Sequence, residues 1–481
     1  YSASHTEDSI DPAITEYLHR ARRVHGISCR AQKSTVSQIA EYYRGGVVEG
    51  EDSNDDSAEK HRVVRIIRAA AEQKASDVRF VIMGNFCRIR FRVHGRAVAA
   101  GELSSEEGMR LMRALYGGMC MAKGDLDPTS MQDGMLREQY ARRCGLGGSR
   151  LATRPARDHG LIVTLRLLYT ESKEISSLKK LGYHPVHEGL IRAMLLRKFG
   201  LGLVTGIVGS GKSTSIVTIE DMYLRHHHQE VDLITIEDPP EYDIPGEGAM
   251  QTPLTYQFGD LASRDRAWAE ALRNCLRHAM DAIMVGELRD SAGAVTAFDI
   301  ALSGHVVMST MHTFDVFSTV KRLVSLGVDP DLVFNPALWT AIINQSLVRI
   351  LCDCKIPLSG NMHALDADCL ARLRPRVPLS HVYLANPVGC SACRGTGYKG
   401  REVVAEVLVP NPEIFQKFQR DGMLEARIHW ATKMGGMTKM SHALLKVAAG
   451  MVDPRHLEAD VAPMDIDQIT LGIEPCMVVS A

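Results

Sequence analysis

Gly206-Ile207-Val208-Gly209-Ser210-Gly211-Lys212-Ser213-Thr214 fits the pattern G-x-x-x-x-G-K-[ST] of a phosphate-binding loop. The stretch before it, Leu201-Gly202-Leu203-Val204-Thr205, reads as a short buried strand, and Ser215 to Leu224 reads as a helix. That strand–loop–helix setting is what the motif requires. The glycines let backbone N–H groups close around phosphate oxygens at a helix N-terminus of partial positive charge. Lys212 is placed to reach the β- and γ-phosphates of ATP, and the Ser213 hydroxyl to hold Mg²⁺. The bland alternative, a chance glycine-rich turn, leaves the flanking strand and helix unexplained.

Around this loop the pattern alternates. Strands at Val204, Val231 to Ile236, Ala282 to Val285 and Val306 to Ser309 have helices between them, which predicts a largely parallel, doubly wound α/β sheet. Ligands of such sheets sit at the carboxyl ends of the strands. One strand runs into Glu237-Asp238-Pro239-Pro240-Glu241, where paired carboxylates can position Mg²⁺ or water, unless this is only an acidic surface turn. Another ends in Gly286-Glu287-Leu288-Arg289-Asp290, and Glu287 is the candidate for polarising the attacking water. Gly286 stands where many such strands carry an Asp. Beyond the next strand, His312 is placed to sense the γ-phosphate, and His305 precedes that strand. Arg273 and Arg277 lie four apart on one predicted helix face, as a solvated stripe or as phosphate or interface groups.

The chain has 481 residues, enough for two to four domains, with 45% hydrophobic and 23% charged residues and a formal net charge of -1. That balance argues neither for nucleic acid nor for an acidic tail. No apolar run is long enough to span a bilayer and no signal-peptide pattern is read, so a membrane role would pass through a partner. Eleven scattered cysteines argue for a reducing cytosol rather than a disulfide framework. Four of them, Cys352, Cys354, Cys390 and Cys393, are spaced so that they can hold Zn²⁺ as thiolates, with Cys369 as a spare ligand; the alternative is four structural thiols. The His226-His227-His228 run points three ways on a helix and reads as surface.

Ahead of the loop, a helix is expected around Asp11 to Val24, an acidic linker over Glu49 to Lys60, and a helix over His61 to Lys74. Strands Val78 to Ile82 and Phe86 to Val93 flank the turn Met83-Gly84-Asn85. The second puts Arg88, Arg90 and Arg92 on one face without interleaved aromatic residues, a solvated or subunit-facing surface rather than a nucleic-acid site. One helix is expected from Glu106 to Ala122 with Ser105 as its cap, and a strand over Leu161 to Leu168. After the cysteines come an apolar run, Val403 to Val409, and helices near Asn411 to Asp421 and His442 to Ala449. No pattern is read beyond about Val461.

In this order Gln132-Asp133-Gly134, Arg150-Leu151-Ala152-Thr153-Arg154-Pro155, the phosphate loop, Thr235 to Tyr242, Ile283 to Asp290, Ser303-Gly304-His305 and Ser309 to Thr313 make the chain resemble the secretion ATPases of type II secretion and type IV pilus assembly. Gly286 is also typical of that family. The resemblance implies a homohexameric motor with a RecA-like ATPase domain behind a small α+β, PAS-like domain. ATP would lie between them, completed by Arg150 and Arg166 of the small domain and by Arg273 and Arg277, with Glu237 among the catalytic groups and Asp238 beside Mg²⁺. The implied division is 1–58 segment and linker, 59–183 small domain, 184–350 ATPase core, 351–401 zinc module and 402–481 helical region. The implied partners are an inner-membrane platform protein and an adaptor, and the implied place is the cytoplasm at the inner face of the bacterial inner membrane. A pilus-retraction motor and a conjugation or type IV secretion ATPase are the rival readings. Val78-Arg79-Phe80-Val81 lacks the family's usual His and Glu.

Overall fold

The computed structural model describes residues 58–169, 177–256 and 261–478; the expected helix at Asp11 to Val24 and most of the acidic linker lie outside them. The helix Ala58–Glu72 buries Val63, Ile67, Ala70 and Ala71, one face at helical spacing, on a seven-stranded antiparallel sheet. Its strands are β1 (Asp77–Met83), β2 (Phe86–Val93), β3 (Arg96–Ser104), β4 (Cys120–Ala122), β5 (Gln132–Leu136), β6 (Gly148–Pro155) and β7 (Leu161–Leu168), ordered β3-β2-β1-β7-β6-β5-β4. In β2, Cys87, Ile89 and Phe91 are buried while Arg88, Arg90 and Arg92 are exposed, as the alternation requires.

The long helix expected from Glu106 to Ala122 is three pieces. A helix covers Ser105–Arg113, a π turn Ala114–Met119, and β4 follows. Its cap is Ser104, not Ser105: Ser104 Oγ accepts from the Glu107 N–H and Glu107 accepts from the Ser104 N–H, a capping box. The Gly117-Gly118 pair explains the break, since glycine costs about 1 kcal/mol in a helix interior.

The second sheet holds β8 (Gly200–Thr205), β9 (Leu233–Glu237), β10 (Ala249–Pro253), β11 (Ala282–Val285), β12 (Val306–Met311), β13 (Trp339–Leu351) and, beyond the short pair β14 (Ile356–Pro357) and β15 (Tyr383–Leu384), β16 (Tyr398–Leu408). The order is β10-β9-β11-β12-β8-β13-β16, parallel except for the antiparallel pair β13–β16. Every residue of β8, β9, β11 and β12 is buried, which is what helices on both faces demand. The cysteine-bearing stretch is thus an excursion between two paired strands. Helices Pro412–Asp421, Met423–Lys433, Lys439–Ala448, Pro454–Asp460 and Ile466–Leu471 close the chain. No described helix is long and apolar enough to cross a membrane.

Candidate nucleotide site

Four adjacent strands, β9, β11, β12 and β8, end at one edge, so Glu237, Glu287, His312 and the phosphate loop meet there. The loop's turns use left-handed backbone at Gly209 (φ 77°) and Gly211 (φ 83°). The helix Lys212–His226 starts with no side-chain cap, so its first N–H groups are free to face an anion. Lys212 Nζ folds back on Gly206 O (3.0 Å), Ile207 O (3.2 Å) and His312 Nδ1 (3.2 Å). An ammonium has only hydrogens to offer, so Nδ1 accepts and the Nε2 proton faces Glu287 Oε1, 3.4 Å away. Glu287 also pairs with Arg289 (2.8 Å). Burial, then the Lys212 charge, lowers the His312 pKa.

Glu237, 7% exposed, accepts from Thr235 Oγ1 (2.8 Å) and Gln251 Nε2 (2.9 Å), and burial raises its pKa. Gly286 has a steric reason: a Cβ there would sit 3.2 Å from Ile236 O and 3.5 Å from the Trp268 ring.

The antiparallel sheet completes the cleft. Arg150 on β6 is the cross-strand partner of Arg166 on β7. Arg166 pairs with Asp77 (3.2 Å), and Arg150 reaches Asp238 (3.6 Å). A cleft of about 840 Å³ is lined by Arg150, Arg166, Ser213, Asp238, Glu287 and His312, among others. It adjoins one of about 660 Å³ lined by Gly209 to Thr214, Arg166 and Tyr242. Ile207 and Val208 are exposed at the loop's tip.

Asp238, expected beside Mg²⁺, is held by Arg264 (2.7 Å), Tyr256 (3.0 Å) and Arg150, so its oxygens already face the protein's own donors. Arg273 and Arg277 are both exposed and do not join this cleft; Arg277 lies past Cys275, the last residue of its helix. His305 immediately precedes β12, at the opposite end of that strand from His312. Gln251, Tyr256 and Arg264 belong to the site without any motif signal in the sequence, and Arg289 lies within the segment Ile283 to Asp290, which gave it no role.

The cysteines converge elsewhere. The four Sγ atoms of Cys352, Cys354, Cys390 and Cys393 lie within 4.8 Å of one another, with Cys352–Cys390 at 3.7 Å and Cys354–Cys393 at 3.9 Å. Tetrahedral zinc with bonds of about 2.3 Å needs sulfur separations near ~3.8 Å, so the residues fit the ion. The N–H groups of Cys390 and Gly397 donate to Cys393 Sγ and bring that thiol down to about 6, the chemistry of a thiolate ligand. Cys369 is buried in the core of the excursion and is not one of the four.

A model of the family described as "Type II/IV secretion system protein" matches residues 52–462. The chain belongs to this family. It is 32% identical over 473 residues to type II secretion system protein E of Pectobacterium carotovorum, covering 90% of this chain and 88% of that one. It is 33% identical over 391 residues to the type IV pilus assembly ATPase PilB of Thermus thermophilus, covering 79% of this chain but only 41% of PilB. The fold is that of the solved Legionella pneumophila ATPase DotB (TM-score 0.54, 20% identity, 84% of this chain and 96% of that one). It is likewise that of the pilus retraction motor PilT with bound ADP (TM-score 0.52, 23% identity, 84% and 99%). The chain is a secretion-family ATPase.

Lys212 carries a prediction. Burial, offset in part by Glu287 and Glu241, lowers its pKa to about 8. Below pH 8 it is a cation ready for phosphate, and above pH 8 the free site loses that charge. ATP affinity should therefore fall by about tenfold per pH unit above 8, with proton uptake on binding. Because the unfolded chain holds this proton up to about pH 10.5, the same group makes stability rise, not fall, between pH 8 and 10.5. Calorimetric ATP titrations at pH 7 and 9 in two buffers check this, and equal affinities would refute it.

Proposed function

We propose that the chain is the ATP-hydrolysing subunit of a homohexameric motor that drives type IV pilus assembly or type II secretion. Its work would reach an inner-membrane platform protein, with an adaptor engaged by the N-terminal segment, and without nucleic acid. The observation that carries this is the two-lobed cleft: Arg150 of the small domain meets Asp238 at the rim that holds Lys212 and Glu287. A nucleotide bound there would be gripped from both sides, so its hydrolysis would shift one lobe against the other.

In this reading Lys212 holds the β- and γ-phosphates and Glu287 polarises the attacking water. Arg150 and Arg166 stabilise transferring charge once phosphate competes them away from Asp238 and Asp77. Mg²⁺, which would neutralise developing phosphate charge, falls to Ser213 with Glu237 or Glu287 rather than to Asp238. Arg273 and Arg277, exposed in one chain, are offered to a neighbouring subunit. The four-cysteine cluster favours an assembly or secretion ATPase over a retraction motor, with zinc held by Cys352, Cys354, Cys390 and Cys393.

The test is turnover against protein concentration, read beside native mass. Specific activity should rise steeply as hexamers form. Full activity in a monomer would overturn the shared-pocket motor.

A further inference from the structure

Beneath the phosphate loop lies a buried polar strut that the reading above does not use. Gln345 on β13 is 0% exposed. Its Nε2 donates to Ser210 O at 2.7 Å, its backbone carbonyl lies where a Cβ at 206 would come within 2.4 Å, and its Nε2 lies 3.3 Å from where a Cβ at 211 would fall. The side chain therefore holds the loop by one hydrogen bond, to the Ser210 carbonyl, and the residue leaves no room for a larger residue than glycine at 206. Its Oε1 accepts from the Tyr183 hydroxyl at 2.5 Å, and that hydroxyl also lies 3.1 Å from Ser215 Oγ on the helix after the loop.

Tyr183 stands in the connector that carries the chain from β7 of the small domain into the core. It follows the turn of helix Leu178–Leu181 and Gly182, whose φ is 96°. The connector is pinned at that glycine: a Cβ would fall 2.7 Å from both Glu402 Cβ and Lys446 Nζ. Tyr183 is 4% exposed, so its hydroxyl is worth burying only because it is bonded; a phenylalanine would pack there without a polar atom to satisfy.

We propose that Gln345 is a positioning residue of the phosphate loop and that the Tyr183 hydroxyl ties it to the interdomain connector, so that loop and connector tighten together when nucleotide binds. The second half rests on the nucleotide cleft proposed above. Neither side chain touches the reacting atoms. They act through the loop backbone, whose carbonyl at Ser210 would otherwise be left without this donor.

Hydrogen exchange read by mass spectrometry tests this on the full chain, with Gln345→Met, Tyr183→Phe and the unsubstituted protein, each with and without ATP. Without nucleotide, residues 206–214 should exchange roughly fivefold faster in Gln345→Met. ATP should slow exchange over residues 177–183 in the unsubstituted protein, and Tyr183→Phe, which removes one oxygen and keeps the ring, should lose that slowing while retaining ATP binding. Loop exchange unchanged in Gln345→Met overturns the positioning role. ATP-induced slowing that persists in Tyr183→Phe, or that never occurs in the unsubstituted protein although it binds ATP, overturns the tie. Absence of ATP binding to the unsubstituted protein counts against the nucleotide site itself, and the nucleotide-free comparison still decides the role of Gln345. If Gln345→Met does not fold, Tyr183→Phe alone decides, through faster loop exchange without ATP.

Discussion

Glu287→Gln is expected to abolish turnover while leaving ATP binding within a few-fold of the unsubstituted protein. The substitution keeps size and shape, so the strand end and its contacts with Arg289 and His312 are disturbed little. What disappears is the charge that would orient and polarise water beside the γ-phosphate. General-base assistance contributes about 10²–10⁴-fold, so kcat should fall by that factor. The His312 Nε2–H can still face the amide oxygen, and Lys212 loses one of the two carboxylates that oppose its deprotonation. The variant's ATP affinity should therefore fall between pH 7 and pH 9 by more than the roughly tenfold expected of the unsubstituted protein. Single-turnover hydrolysis beside a fluorescent-nucleotide titration separates the two effects. Normal turnover would remove Glu287 from the role.

The nucleotide half of this molecule is legible because its chemistry and its packing use the same short segments. Strands β8, β9, β11 and β12 are buried along their whole length and largely apolar, and each ends at or just before a candidate site residue or the phosphate loop. The small domain is harder to read. Eight of the nine residues of β3 are exposed, so no alternation announces that strand, and β4 hides behind the Gly117-Gly118 break of what reads as one helix. β13 is thirteen residues long with a single position that is not buried, and polar Asn344, Gln345 and Ser346 lie in its middle, so neither period shows. Of these, Gln345 holds the loop from beneath, while Asn344 bonds Thr205 and Thr313 beside it. Of the partners of Asp238, Arg264 sits outside any motif on a helix 26 residues downstream, and Arg150, though within a motif, comes from the other sheet, so spacing does not pair them with Asp238. Arg150 and Arg166 are sixteen residues apart in the chain yet directly opposite across β6 and β7, a proximity that spacing alone does not show. The reverse holds for Arg273 and Arg277, where a four-residue interval looked like one helix face but the helix ends between them.

Cys393→Ser should give the largest loss of stability. Cys352 lies just past β13, and Cys390 and Cys393 lie just before β16, so the cluster sits at the root of the excursion between two paired strands. The Cys352 N–H bonds Gly397 O at 3.0 Å, where the β13–β16 register slips between Ile350 and Leu351. The excursion contributes Leu358, Leu365, Leu373, Val377, Val382 and Leu384 to a core shared with Met440, Leu444, Val447 and Leu457 of the closing helices. A metal at the root would close a loop of about forty residues before that core forms, an entropic saving that grows only slowly with length but is lost whole when a ligand goes. Structural zinc is worth about 10–16 kcal/mol in small isolated modules. Here the shared core retains part of the order, so the expected result is a melting temperature lowered by on the order of 5–10 °C together with loss of bound zinc. The closing helices should loosen first, because their core partners are in the excursion, while the nucleotide cleft, built on the other strand ends, keeps its ATP affinity longer. Elemental analysis of the unsubstituted protein and melting of both forms are the measurements. No zinc in the unsubstituted protein, with Cys393→Ser melting at the same temperature, would show four thiols that merely pack together.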